Sequence, residues 1–346
     1  MDDNNKIGSV NENMQVDEVL EASSETDMGV NTNQAAETVV PKDANTMKER
    51  DMGEVMAHQR VMKVVVQVLL YLFLCIMAIG VLFPFYWMII SSLKSYDEYR
   101  LSVPTFFPKH VLWSNYSEAF RQANLGQLFL NTVYVGIVST VLSLVITVLA
   151  AFAFARLEFK GKNIMFGALL ATMMIPGELF TITNFTTVVS FGWRSTFIVL
   201  IVPFLVSVFY IYLLRQNFMQ IPDELYYAAK VDGTSDLKYL WKVMIPLALP
   251  TIISITILKM MGAWNSYVWP RLVVGNKDIL HSLITNGLRG AEFPVRDPVT
   301  GALVDGQTNI PQQMAAVAMV SLPLFLVFIF LRKYIMKGVS RSGIKG

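Results

Sequence analysis

Residues able to make or break bonds are few and scattered. One cysteine, Cys75, lies inside an apolar run, so no intrachain disulfide can form. His58, His110 and His281 are far apart and show no metal-ligand spacing, so no metal site is expected. No G-x-x-x-x-G-K-[ST] loop, HExxH motif, Ser/His/Asp arrangement or dinucleotide fingerprint occurs. The chain is therefore expected to be no enzyme and to need no cofactor. What remains is the chemistry of holding a ligand. Glu178 and Lys259 each interrupt a long apolar stretch, and Asn131, Asn184, Trp264 and Asn265 place amides and an indole in similar surroundings. Aromatic faces with amide donors suit a polyhydroxylated ligand, while Trp264 suits an interface anchor equally well.

The elements that carry these residues follow from composition. Of 346 residues, 54% are hydrophobic and only 16% charged, and the mean hydropathy is +0.47. A globular surface uses about a quarter charged residues. Residues 1–60 hold 13 of the 26 acids and 5 of the 28 basic residues, so an acidic tail precedes a basic, mostly apolar body. This excludes a disordered protein and a nucleic-acid binder with one basic face. Uncharged stretches of 30 residues (64–93), 34 (122–155), 20 (195–214) and 26 (306–331) occur, and two more are interrupted once, by Glu178 and by Lys259. About 20 apolar residues cross a bilayer as a helix. Six spans are expected, near 64–90, 130–154, 164–187, 196–214, 248–269 and 314–333, giving an all-α integral membrane protein. Helices are the economical solution because lipid offers no partner to a backbone N–H or C=O. Pro84, Pro176, Pro203, Pro250 and Pro323 lie within or at the ends of spans. Glu178 and Lys259 fall at similar depth. They are placed either to pair across helices or to face a water-filled seam or a partner separately.

Lys and Arg in short loops set orientation. Arg60 and Lys63, then Arg156, Lys160 and Lys162, then Arg332, Lys333, Lys337, Arg341 and Lys345 fall on one side if there are six spans. That side is cytoplasmic, with both termini inside and 92–128, 188–195 and 270–313 outside. Residues 1–60 contain no Phe, Trp or Tyr. They bury too little to offset ordering entropy, and are expected to form a disordered cytoplasmic tail with a helix starting near Met47. Nothing in them reads as a signal peptide.

Between spans four and five lies a polar but patterned segment, IPDELYYAAKVDGTSDLKYLWKVMIPLALP, from Ile221 to Pro250. Pro222, Asp223 and Glu224 suit a helix start. Leu225, Ala228, Ala229 and Asp232 share roughly one face, and Gly233 fits a stop. Thr234 or Ser235 suits the cap of a second short helix running to Val243, with Leu237, Leu240 and Trp241 on its apolar side. Two short angled helices on the cytoplasmic face are expected. An interfacial helix on lipid headgroups and a protein-docking element fit this pattern equally.

The segment resembles the EAA loop of ABC importer permeases. Ala228 and Ala229 match its two alanines, Asp232 and Gly233 its Asp-Gly, and Ile245 and Pro246 its terminal segment; Tyr227 stands where that family usually has Glu. FLNTVYVG (129–136), AFAFARLEFKGK (151–162), MMIP (173–176), GAWNSYVWP (262–270) and the closing GVSRSGIKG (338–346) are similar to the carbohydrate-importing, MalG-like branch. The likeness covers about residues 60–346. It implies the MetI-like permease fold over 61–337, with a coupling loop at 221–246 and a basic glycine-rich tail at 338–346.

The resemblance further implies a multi-pass protein of the bacterial plasma membrane that imports a sugar or oligosaccharide. Its partners would be a second permease subunit, an ATPase dimer, an extracellular solute-binding protein and membrane lipid, with no nucleic acid. ATPase coupling would fall to Tyr227, Ala228, Ala229, Asp232, Gly233 and Pro246, with Gly343 and Lys345 in the tail. The sugar path would be lined by Asn131, Glu178, Asn184, Lys259, Trp264 and Asn265, although the resemblance also allows the other permease subunit to hold the substrate. Competing readings are an ABC permease for a non-sugar solute such as a polyamine or phosphate ester, an ion-coupled secondary transporter, and a membrane scaffold. A secondary transporter is expected to show an internal repeat, and none is convincing here.

Overall fold

The computed structural model describes residues 42–275, 278–297 and 300–340. Residues 1–41 of the acidic tail, and Gly343 and Lys345 of the basic one, lie outside the described residues. The first helix, α1, runs from Lys42 to Ser92. It begins inside the segment 1–60 expected to be disordered. Residues 42–60 are rich in Ala, Met, Lys, Glu and Arg, all good helix formers, with Gly53 the one poor residue for a helix interior. The chain divides into two compact units, residues 1–76 and 77–346, and the second holds all elements after α1.

In chain order that unit contains α2 (Tyr96–Tyr99), α3 (Ser114–Gln122), α4 (Leu125–Arg156), α5 (Lys162–Thr172), α6 (Thr181–Ser190), α7 (Phe197–Ile201), α8 (Val208–Met219), α9 (Asp223–Val231), α10 (Asp236–Tyr239), α11 (Ile245–Asn265), α12 (Val268–Val273), α13 (Ile284–Gly290) and α14 (Ile310–Ser340). Among the described residues, four stretches are long and apolar enough to cross a membrane: Met62–Ser92, Leu125–Arg156, Asp236–Asn265 and Ile310–Lys333. The expected third and fourth spans are each broken. Lys162–Thr172 and Gly177–Ser190 meet at 84°, and Phe197–Phe204 and Val208–Met219 at 46°. Six spans result only if each bent pair counts as one. Proline sits at both breaks. Pro176 precedes a 3-10 turn, Gly177–Phe180, and Pro203 lies within another, Val202–Phe204. Proline lacks the N–H that would continue the helical ladder and drives its predecessor out of the α region.

The all-α expectation needs one correction. Strands β1 (Pro294–Arg296) and β2 (Leu303–Thr308) form an antiparallel hairpin, with an irregularity between Pro294 and Val295. The hairpin lies in the long segment between α13 and α14. Its turn is closed by Thr300 N–H donating to Asp297 Oδ1 at 2.8 Å and by Gly301 at φ +68°.

Helix α4 is the centre of the packing, against α8 and α11, and α11 also packs on α14. The inward face of α4 carries small residues, among them Gly136, Ser139, Ser143 and Ala151, all buried. They allow close helix approach where lipid supplies no hydrophobic drive. A Cβ at Gly136 would sit 3.2 Å from Met260 of α11. The opposite face of α4 leaves Leu130, Val141 and Val145 more than half exposed. In water such a face is a liability, whereas hydrocarbon accepts it at no cost.

Candidate functional site

The α9–α10 element is built from behind by α4 and α8. Arg156, the last residue of α4, is buried. Its guanidinium donates to the carbonyls of Phe218 (2.9 Å) and Ile221 and pairs with the Asp223 carboxylate. It thereby satisfies carbonyls at the end of α8 and an acid in the first turn of α9, groups that a helix end leaves open. Arg215 of α8 returns the contact, donating from Nε to Phe154 O at 3.0 Å and lying 4.1 Å over the Phe166 ring.

Helix α9 ends in a Schellman motif. Thr234 N–H bonds to Ala229 O at 2.8 Å, Gly233 N–H bonds to Lys230 O at 3.0 Å, and Gly233 has φ +69°. Three contacts then tie α9 to α10. Tyr226 Oη donates to Asp236 Oδ1 at 2.8 Å, Lys230 Nζ meets the same oxygen at 2.7 Å, and the rings of Tyr226 and Tyr239 stand edge to face 5.2 Å apart. The Asp236 carboxylate holds the Lys230 ammonium above its usual range. Burial first, and the bond to Asp236 second, raise the Tyr226 phenol.

The second short helix departs from expectation. Ser235 occupies the cap position of α10 but its hydroxyl makes no cap bond. After one turn, α10 passes through a π turn, Leu240–Met244, directly into α11. Pro246 explains the widened turn: its ring would clash with the carbonyl four residues back, Lys242, inside that turn. The apolar side is also different. Tyr239, Leu240 and Met244 face the core, whereas Leu237 and Trp241 are 59% and 66% exposed. Ala229 packs against the core, while Tyr227, Ala228, Asp232, Gly233 and Pro246 are exposed. Val231 is 89% exposed. The element is thus fixed on its inner side and presents Tyr227, Val231, Leu237 and Trp241 outward.

The residues expected along a path are not brought together. Asn131 is buried on α4. Its amide donates to Ile279, Leu280 and Ser282 carbonyls and accepts from Gln127, so it pins the 279–282 segment. Trp264 donates from Nε1 to Val320 O at 3.3 Å and meets Phe129 edge to face at 5.3 Å. Asn265 donates to Met261 O on its own helix, and Asn184 is exposed on α6. Glu178 is exposed in the 3-10 turn at the 84° bend, and it forms no ion pair with Lys259 among the described residues. Lys259 instead donates to Phe204 O, at the bend between α7 and α8. Sequence reasoning counted Arg156 as a loop charge and passed over Tyr226 and Asp236. The one signal for Arg156 is its position directly after an apolar run.

A family model described as the inner membrane component of binding-protein-dependent transport systems matches residues 143–341. The match takes in the latter part of α4, the α9–α10 element and all later spans. The chain belongs to this family. It is accordingly an inner-membrane transport component, as the sequence resemblance implied. The arabinooligosaccharides transport system permease protein AraQ of Bacillus subtilis is 26% identical over 285 residues, covering 82% of this chain and 97% of that protein. The diacetylchitobiose uptake system permease protein NgcG of Streptomyces coelicolor is 30% identical over 272 residues, covering 78% and 86%. The fold is that of a chain in the crystal structure of a bacterial ABC transporter involved in import of the acidic polysaccharide alginate. The two share a TM-score of 0.69 at 24% identity, over 78% of this chain and 96% of that one.

Proposed function

We propose that this family member is a permease subunit of an ATP-driven importer for a sugar or oligosaccharide. It would form the translocation path with a second permease subunit and receive solute from an extracellular binding protein. The carbohydrate assignment draws on the arabinooligosaccharide and diacetylchitobiose relatives. Hydrolysis falls to a separate ATPase dimer, since the sequence holds no phosphate-cradling loop. The basic loops put the α9–α10 element and both termini in the cytoplasm.

One observation carries the coupling role: α9–α10 is braced from behind by Arg156 and Asp236 yet bare in front. A braced element with an exposed apolar face transmits a push. The continuous backbone from α10 through the π turn into α11 gives that push a route into a span. The tail 338–346 is proposed as a second contact with the ATPase. Cysteine pairs test the reading. Ala228→Cys is expected to crosslink to the ATPase subunit in the assembled complex, and Ala228→Arg to uncouple ATP hydrolysis from uptake. An assembled complex in which residue 228 never captures the ATPase, and Ala228→Arg transports normally, would remove the coupling assignment.

A further inference from the structure

A cavity of about 360 Å³ opens between α4, the bent α7–α8 segment and α11. Its size is at the lower end for small-molecule sites. Its lining combines Lys259 with the hydroxyls of Ser207, Tyr210 and Ser266 and the rings of Phe204 and Trp269. The aromatic wall is fixed: Trp269 Nε1 donates to Val199 O at 2.9 Å, and its ring meets Phe204 edge to face at 5.6 Å.

The polar groups here are only partly used. Lys259 has three donors. One goes to Phe204 O, and among the described residues the ammonium forms no ion pair. Ser207 Oγ accepts from Tyr210 N at 3.4 Å, which leaves its own proton for another acceptor. A cation in a membrane-spanning helix is costly and marks a functional site when it faces a cavity. The cavity also adjoins the break in a span, where backbone polar groups are freed from the ladder.

We propose that this cavity holds the transported solute through an anionic group bound to Lys259, with the hydroxyls and aromatic wall taking the sugar ring. The inference rests on the saccharide-importer reading and narrows its substrate class to acidic saccharides. A neutral sugar would leave the ammonium without a counter-charge, and a cationic solute would be repelled by it. A carboxylate and a phosphate ester share the required chemistry.

The test uses the transporter assembled with its partner subunits in detergent, titrated calorimetrically with digalacturonate, its dimethyl ester and glucose 6-phosphate. At least one anion is expected to bind about ten-fold or more tightly than the neutral ester, the scale of one well-placed charge pair. Lys259→Gln should cancel that preference, and Lys259→Arg should keep it. Preference for digalacturonate assigns a uronide, and preference for glucose 6-phosphate assigns a phosphate ester. Because discrimination between acid and ester is the readout, a lysine that only caps the Phe204 carbonyl would not move it. Equal binding of acid and ester, no saccharide binding, or a charge preference that survives Lys259→Gln overturns the inference in a complex that retains its ATPase. Failure to isolate any complex with an ATPase overturns the importer reading, and this inference with it.

Discussion

Arg156 and Asp223 join the end of the span α4 to the start of helix α9. The two ends of this pair are not alike. The Arg156 side chain is 5% exposed and that of Asp223 is 67% exposed, so the ion pair itself is softened by solvent. The weight lies on the arginine, whose fork also holds the Phe218 and Ile221 carbonyls. Arg156→Ala would leave those carbonyls unpaired and is expected to destabilise the body by roughly 2–3 kcal/mol. Asp223→Asn should cost under about 1 kcal/mol. Arg156→Lys, a point charge without the planar fork, should recover only part of the loss. Thermal melts of the detergent-solubilised protein check the ranking; Asp223→Asn as damaging as Arg156→Ala would contradict it.

Gly233 has open space around it, since a Cβ there would meet nothing within 4 Å. Its requirement is conformational. At φ +69° an L-residue costs about 1–2 kcal/mol, and the Schellman bonds to Ala229 and Lys230 depend on that geometry. Gly233→Ala and, more strongly, the β-branched Gly233→Val should therefore loosen α9 from α10, and Gly233→Asn, which tolerates the left-handed region, should do so least. Hydrogen exchange at Thr234 N–H is the direct measure, and equal protection in all three variants would count against the motif's role.

Much of this architecture was legible because lipid imposes a simple rule: long uncharged runs must be helices. The start of α9 at Pro222-Asp223 and its stop at Gly233 were readable for the same local reasons. The failures have physical causes. Proline inside a span gives no sign of whether it breaks the helix, and Pro176 and Pro203 do so while Pro84, Pro250 and Pro323 do not. The inward face of α10 was misread because Leu237 and Trp241 are apolar, yet Tyr239 fills the core. The hydrogen-bonding role of Asn131 was not legible either. Its partners, backbone carbonyls about 150 positions away, are set only by tertiary packing.

The seam between α13 and α4 offers a packing test. A Cβ at Gly287 would overlap the buried Leu128 side chain. Leu128 is buried in the cluster with Ala119, Leu125, Ile284 and Phe293. Gly287→Ala should cost about 1–3 kcal/mol through overpacking. Leu128→Ala in the same chain should relieve the overlap, making the double variant less unstable than the sum of the two single changes. Additive losses would mean that Leu128 yields freely.

Acid is expected to loosen the loop that follows α1. The Glu98 carboxylate accepts from Thr105 Oγ1 at 2.8 Å and from Lys109 N–H at 3.0 and 3.1 Å. Burial opposes its charge, but these bonds, with the Lys94 and Lys109 charges, outweigh burial and hold the carboxyl below its usual range. A depressed folded-state pKa means the contribution is complete above the unfolded value and is lost as pH falls through the folded one. Protection of the Lys109 amide from hydrogen exchange should hold at neutral pH and fall only at acid pH. Glu98→Gln should abolish that pH dependence. If the wild-type amide stays protected throughout, the segment is held by Lys94, which donates to Thr105 O, and not by the carboxylate.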